Sequence, residues 1–402
     1  MNAIRCWAWT MAIGIGLMVV RAEAQGELEP AAPPRPTMKT LAQIEPRIPI
    51  TDLPFTINKP GSYYLVSNLT ASGHGIFVAT NGVVLDLMGF TLAGDGDTVD
   101  NGIWVGGSPD APVCGAVVRN GTVRNFGNGI RVENAIGGSF EHLALVQNTV
   151  DGIWFRAVEG KCIANVLSEC AIGSNVLHGI GWSVDQGECE GNTIADCTVF
   201  ANGWHGICLQ GARSGDIPTR CDGNAIVRCA VVDNAFSGIV LDGSGYGRCA
   251  GNRIVDCAIS GNRQYGILLD AHDSGTCRGN EIAGCVVVGN ADDGIRLSGQ
   301  PAGYSDGNAV VGCVVYRNAD NGIDLNMARG NRIEGNHVTG QTAGYGIYCQ
   351  ATSSNLLLRN SGVGNSLNYL VVDDDVYGPA VAAQGELADT GAAAHPWANF
   401  TR

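Results

Sequence analysis

The stretch GNTIADCTVFANGWHGICLQGARSGDIPTRCDG, residues 191–223, holds three short apolar clusters: around Ile194, around Val199, and at Ile207 with Leu209. Each cluster ends in Asn, Asp or Gly, which suits strands of three to five residues joined by tight turns. None has the i, i+3, i+4, i+7 spacing of a helix, and glycine, of which the chain has 58, costs ~1 kcal/mol at each helical position. Outward from this stretch, Gly-Ile recurs eleven times between residues 75 and 347, at intervals of 23 to 32 residues. Units this short bury no core alone and must stack on their neighbours. Leucine-rich, ankyrin and tetratricopeptide repeats are excluded for want of helical halves. The spacing predicts an all-β parallel β-helix of about eleven rungs. Three strands make each turn, and each pairs with its equivalent one turn later, ~4.8 Å away. In Gly-Ile-x-Leu strands the Ile and the residue two later face inward, as Ile267 and Leu269 do; the residues between and beyond face outward.

A second element, C-x-G-N-x-I-x-x-C, runs from Cys189 to Cys197, Cys221 to Cys229, Cys249 to Cys257 and Cys277 to Cys285. Its asparagines, Asn192, Asn224, Asn252, Asn280, Asn308 and Asn331, are expected to form an amide ladder at a turn. The cysteines fall into two columns. Their spacing is not that of a metal site, which leaves two readings open: small buried thiols, or bridges between neighbouring rungs.

Residues 1–24 read as an export signal, with Arg5, an apolar run from Trp7 to Val20, and Ala22-Glu23-Ala24 before the cut. Residues 25–49 hold Pro33, Pro34, Pro36, Pro46 and Pro49 and read as an extended tether. Residues 50–365 are the coil, and 366–402 a C-terminal cap or tail. No other segment is apolar and long enough to span a bilayer. The expected destination is the periplasm, the cell surface or the medium, and the expected state a monomer. With 24 basic against 38 acidic side chains and only three lysines, nucleic acid is excluded as a partner.

The outward residues of the Gly-Ile strands make one mixed stripe. Trp104, Arg131, Trp154, Arg156, Tyr246, Arg296 and Asp324 are candidates for binding a polysaccharide, the tryptophans as platforms for sugar faces. Asp242 and Asp270 fall in one column on adjacent rungs, with His272 two residues on. They are the catalytic candidates: paired carboxylates where one keeps a proton or a Ca²⁺ ion sits between them, and a histidine able to act as a base. No other cofactor or metal is expected. Insertions beside this face wall a cleft with Arg213, Asp216, Arg220, Tyr246, Asp273 and Tyr304. The residues preceding each Gly-Ile, among them His74, His178, His205 and Asp293, read as a polar turn column.

Residues 50–365 resemble the right-handed parallel β-helix proteins of the pectate-lyase-like superfamily. The chain is most similar to uncharacterised exported bacterial members, in LPFTINKPGSYYLVSNLT at 53–70, VVLDLMGFTLAG at 83–94 and PWANF at 396–400. The resemblance implies that Pro54 to Asn68 build the first turn and that the tail after Ser366 covers the last. Tyr265 to His272 also resembles the Tyr-Gly-Phe-Asp-Pro-His motif of uronan C5-epimerases, with a two-residue insertion and Ala for Pro. In that picture Asp270 neutralises a substrate carboxyl while Tyr265 and His272 exchange the proton. Gly73-His74-Gly75 with Asp292-Asp293 echoes polygalacturonases in reversed chain order. Two functions remain open: a non-catalytic polysaccharide-binding or structural protein of the cell surface, and a polysaccharide lyase, uronan epimerase or glycoside hydrolase working in the cleft.

Overall fold

The Gly-Ile strands stack in register as parallel β-structure, Ile239 opposite Ile267 and Ile267 opposite Ile295. In the computed structural model this ladder has thirteen strands, the eleven of the repeat plus Phe55–Ile57 at one end and Tyr369–Val371 at the other. The structure describes residues 44–211, 219–300, 302–371, 374–382 and 391–402. The export signal, most of the tether, and Arg213 and Asp216 of the expected cleft lie outside the described residues.

Through the middle of the coil each turn has four strands, not three. After Ile180–Asp185 come Glu188–Glu190, Thr193–Ala195 and Thr198–Phe200. The unexpected one carries the first cysteine of the motif, Cys189 pairing with Cys162 one rung before. The corner behind it is the Gly-Asn of the motif. Gly191 takes φ +61° and Gly251 +63°, a left-handed conformation that turns the chain within one residue. Where this strand is missing, as after Ile323–Asn326, the turn returns to three. A 3-10 turn lies at Gly391–Ala394, and no helix among the described residues is long and apolar enough to cross a membrane.

The inward columns are fully buried: Ile239, Leu241, Ile267, Leu269, Ile295 and Leu297 are each 0% exposed. The asparagine ladder runs as expected. Asn192 donates from its backbone N–H and from Nδ2 to Asn224 Oδ1, at 2.9 and 3.0 Å, and the arrangement repeats from Asn165 to Asn355. A second ladder, from Asn148 through Asn175, Asn202, Asn234, Asn262 and Asn290 to Asn318, was missed. Its signal was present: an Asn five residues after the second cysteine, as in Cys197-Thr-Val-Phe-Ala-Asn202. The cysteines of both columns are buried and unbridged, each column one side chain per rung.

At the ends, strand pairing begins at Ile48, two residues inside the segment read as tether, where Ile48–Ile50 lies along Tyr63 to Leu65. Pro49 is tolerated there because an edge strand leaves one side of its backbone unpaired. The residues after Ser366 pair with the last turn: Tyr369 with Ile347, and Phe400 with Ser361.

Candidate functional site

Three outward rows run along the Gly-Ile ladder, and the third, two residues beyond the second, holds Asp242 and Asp270. The first, ahead of each Gly-Ile, is a hydrogen-bond column in which a side chain on one rung accepts from the next rung's backbone. His74 Nδ1 accepts from Asn101 N at 3.0 Å, Asp151 Oδ1 from His178 N at 2.8 Å, His205 Nδ1 from Ser237 N at 3.1 Å, and Asp293 Oδ1 from Asn321 N at 2.9 Å. This explains why histidine, aspartate and asparagine alternate there. His205, whose Nδ1 is an acceptor, carries its proton on Nε2 and has no ring lone pair left for a metal. Burial lowers its pKa to about 4, so it is a neutral donor at ordinary pH.

The second row, after each Ile, changes height along the coil. On early rungs it is tall: Trp104 packs on Phe77 at 4.8 Å, and the Arg131 guanidinium lies 4.7 Å from the Trp104 ring centre and 5.3 Å from that of Trp154. Arg156 stands 5.2 Å from the Trp154 centre. Arg131 also pairs with Glu133. The tryptophans read as sugar platforms therefore have faces covered by arginines from their own and adjacent rungs. Sequence could not reveal this, because rows pair across rungs some 25 residues apart.

Beyond Trp154 the row drops to Gly181, Cys208 and Val240, all buried. It rises again at Arg296. A depression of about 380 Å³ opens over this low floor, with His178, His205 and Trp204 on one side and Gln210 and Asp242 on the other. It shares Leu177, His178, Cys208 and Gln210 with a second of about 230 Å³, which reaches Asp151 and Trp154. Trp204 stacks on Phe236 at 4.2 Å and is 41% exposed, so it offers an indole edge to the space. Asp151 is 5% exposed, and a Cβ on Gly181 would come within 2.9 Å of its Oδ2. The missing side chain at 181 is what gives this carboxyl its room.

Burial raises the Asp151 pKa to about 7, against the hydrogen bond from His178 N. The unfolded chain, with an ordinary carboxyl, then holds fewer protons than the fold between about pH 4 and 7, so the group costs stability as pH rises through that window. Asp151→Asn keeps an acceptor for His178. It is expected to stabilise by on the order of a few kcal/mol at pH 8.5 and little at pH 4. Urea unfolding at both pH values checks this, and an equal gain at both would refute it.

Asp242 and Asp270 do stand opposite each other on adjacent strands. Asp242 is engaged by Gln210 Nε2 at 2.7 Å, by Ser244 N at 2.9 Å and by the Ser244 hydroxyl. Ser244 Oγ lies 2.7 Å from His272 Nδ1, and Asp270 Oδ2 lies 3.3 Å from that same nitrogen. A nucleophile–base–carboxylate relay needs its partners on opposite ring nitrogens. Here both crowd Nδ1, and Nε2 faces Asp273 at 3.7 Å. Burial raises the Asp270 pKa; His272 lowers it and Asp242 adds to the rise. The epimerase-like grouping is not assembled. Tyr265 precedes the extended strand Ile267–Asp270 and His272 follows it, on the far edge of the face.

The stripe closes at an acidic knot that sequence reading did not group. Arg296 Nη1 reaches Asp293 Oδ2 at 3.1 Å and Asp324 Oδ2 at 3.0 Å, under the Tyr265 ring at 5.3 Å. Burial, with the neighbouring charge of Asp293, raises the Asp324 pKa to about 8, against the pull of Arg296. The carboxylates of Asp292, Asp293 and Asp320 lie close enough to share one cation. Tyr246 is exposed on the loop beside Asp242; Tyr304, also exposed, is capped by Arg329 at 4.0 Å.

The class these features define is the right-handed parallel β-helix. The family model described as right handed beta helix region matches residues 183–363. No curated protein matches the chain in sequence. Among solved structures, the A-module of the mannuronan C-5 epimerase AlgE6 of Azotobacter vinelandii is 15% identical over 82% of this chain and 86% of that one, with a TM-score of 0.49. The periplasmic alginate epimerase AlgG is 14% identical, with 72% of each chain covered and a TM-score of 0.39. The Dettilon tailspike protein gp208 is 12% identical over 88% of this chain and 61% of its own, with a TM-score of 0.43. Likeness at this level concerns the fold alone.

Proposed function

We propose that the chain is an exported glycan-binding β-helix that holds a saccharide along its Gly-Ile face, between Trp154 and Arg296. One observation carries this: the low floor of Gly181, Cys208 and Val240, flanked by an aromatic wall and a polar one. A pyranose ring has apolar C–H faces and a polar rim, and it seats on such a trough with its hydroxyls turned to the walls. A sugar unit is also roughly as long as one rung is high, so successive rungs meet successive sugars alike. The N-terminal pattern supports export.

Filling the floor tests the proposal. Gly181→Trp is expected to weaken binding in a polysaccharide panel by at least tenfold, by titration calorimetry, whereas Trp at exposed Val286 on another face leaves it unchanged. Equal affinity in both variants would remove the trough from the account. A second reading, a lyase, epimerase or hydrolase, is favoured by Asp324, a buried acid that stays protonated near neutrality beside Arg296. Release of unsaturated uronates or new reducing ends, abolished in Asp324→Asn, would establish it; binding without turnover would leave the first.

A further inference from the structure

One corner of the coil is built from two kinds of side chain. Cys170, Cys197, Cys229, Cys257, Cys285 and Cys313 occupy it on six successive rungs. On the next three rungs the same place is taken by Asn336, Asn360 and Asn399. Both kinds face one structural task, which is to accept the backbone N–H of the rung before. Asparagine does it well: Asn336 Oδ1 takes Cys313 N at 2.9 Å, and Asn360 Oδ1 takes Asn336 N at 3.0 Å. Sulfur does it poorly, being a weak acceptor, and Cys257 Sγ stands 3.5 Å from Cys229 N. A chain that already uses asparagine at this corner has no structural need for six sulfurs there. Their reason is to be sought in the chemistry of thiols.

The six sulfurs repeat one geometry. Each lies 3.1–3.6 Å from the carbonyl oxygen two residues before it. Each also lies 3.5–3.8 Å from a carbonyl oxygen of the preceding rung, and all six are buried. Side chains that point alike on every rung place their sulfurs at the rung spacing, ~4.8 Å. That spacing selects among the things thiols do. A disulfide needs its sulfurs ~2.05 Å and its Cβ atoms ~3.8 Å apart, so bridging would pinch the ladder out of its repeat. Zinc needs four ligands around one point, and no three cysteine sulfurs gather that way among the described residues. A two-coordinate cation with thiolate bonds of ~2.3 Å, the length zinc shows, holds its two sulfurs ~4.6 Å apart in a straight line. This matches the rung spacing to within a few tenths of an ångström.

We infer that the column from Cys170 to Cys313 is a binding site for soft monovalent cations of the Cu(I) type, each held in a line between the sulfurs of two adjacent rungs. The site is independent of the saccharide reading. Every thiol gives up its proton and every ion bridges two consecutive sulfurs, so six thiols take five ions: 6 RSH + 5 Cu⁺ → [Cu₅(SR)₆]⁻ + 6 H⁺. No electron is transferred. The column then carries one negative charge whatever its length, because each added rung brings one thiolate and one cation. Sulfurs this deep in the core are reached while the rungs close, so loading accompanies folding.

The test is anaerobic refolding of the full, reduced chain in Cu(I) buffered by a competing chelator, with bound ions then counted by native mass spectrometry. Cys257→Asn decides it, because asparagine is the residue the chain itself places at this corner and it keeps the Cys229 N–H partnered. The substitution divides six sulfurs into runs of three and two, which hold two ions and one. It is therefore expected to bind two ions fewer than the unmodified chain, whereas Cys313→Asn, at the end of the run, is expected to lose one. Equal losses in the two variants, or none, overturn the column. X-ray absorption on the unmodified chain gives a readout independent of how the variants fold, and should show two sulfur neighbours per copper. Three or four neighbours, or Zn(II) taken up in the same number, overturn the two-coordinate assignment. A refolded chain that takes up no Cu(I) overturns the inference outright.

Discussion

Ile267→Asp is expected to unfold the middle of the coil. Ile267 is 0% exposed and lies in register between Ile239 and Ile295. Truncating so large a buried side chain costs ~2–5 kcal/mol in cavity and transfer terms. The carboxyl then adds the cost of burying a charge, or of binding a proton near neutral pH to avoid one. The sum approaches the whole stability of an ordinary domain. In a stacked repeat the damage is local first, because a rung leans only on its neighbours. Limited proteolysis of Ile267→Asp should therefore cut within the rungs from Ile239 to Ile295, leaving the flanking turns as resistant fragments. Ile267→Val serves as control and should lose only ~0.5–1.5 kcal/mol. An unchanged denaturant midpoint in Ile267→Asp would mean that the inward column is misplaced.

That column was fully legible because a repeat writes each inward position many times. Ile239, Ile267 and Ile295 share one environment, so pattern alone fixes their face. The first asparagine ladder was legible for the same reason. The second was written equally often, after the second cysteine, and was passed over because its asparagines looked like ordinary turn residues. The fourth strand was hidden in three residues around Cys189, too short to show alternation.

The site was less legible for a different physical reason. A trough is a difference in height between rungs, so it lies in the departures from the repeat. Gly181, Cys208 and Val240 were each assigned outward positions, but their meaning depends on Trp154 and Arg296 standing taller on either side. Likewise Trp104 and Trp154 carry the right chemistry for sugar stacking, and only the packing reveals that Arg131 and Arg156 cover their faces. Asp270 and His272 were rightly placed close together. Which ring nitrogen each neighbour meets decides whether they form a relay, and sequence holds no information on that.

Asn252→Ala is the second large expected loss, and it separates the two columns that the C-x-G-N motif repeats. The Asn252 side chain takes part in four hydrogen bonds. Oδ1 accepts from Asn224 N at 2.8 Å and Asn224 Nδ2 at 3.0 Å; Nδ2 donates to Cys221 O at 2.9 Å and Asn280 Oδ1 at 3.0 Å. Alanine removes all four and leaves buried donors on Asn224 and a buried acceptor at Cys221 without partners. At ~1–3 kcal/mol per stranded group, the loss should reach roughly 3–6 kcal/mol. Cys257→Ala, by contrast, deletes one soft sulfur whose contact with Cys229 N is long, at 3.5 Å, and should cost about 1–2 kcal/mol. Guanidinium unfolding of both variants decides the order, and a larger loss in Cys257→Ala would make the thiols the main tie between rungs. The ladder's own end supports the polar reading. Every asparagine accepts from the rung before and donates to the rung after, so the last member needs an acceptor and has no further asparagine to serve. Asp375 occupies that place: its Oδ1 takes Asn355 N and Nδ2 at 2.9 and 3.0 Å, and its Oδ2 takes the Thr352 hydroxyl. A carboxylate, which only accepts, terminates a one-way chain of amides without leaving a donor unpaired.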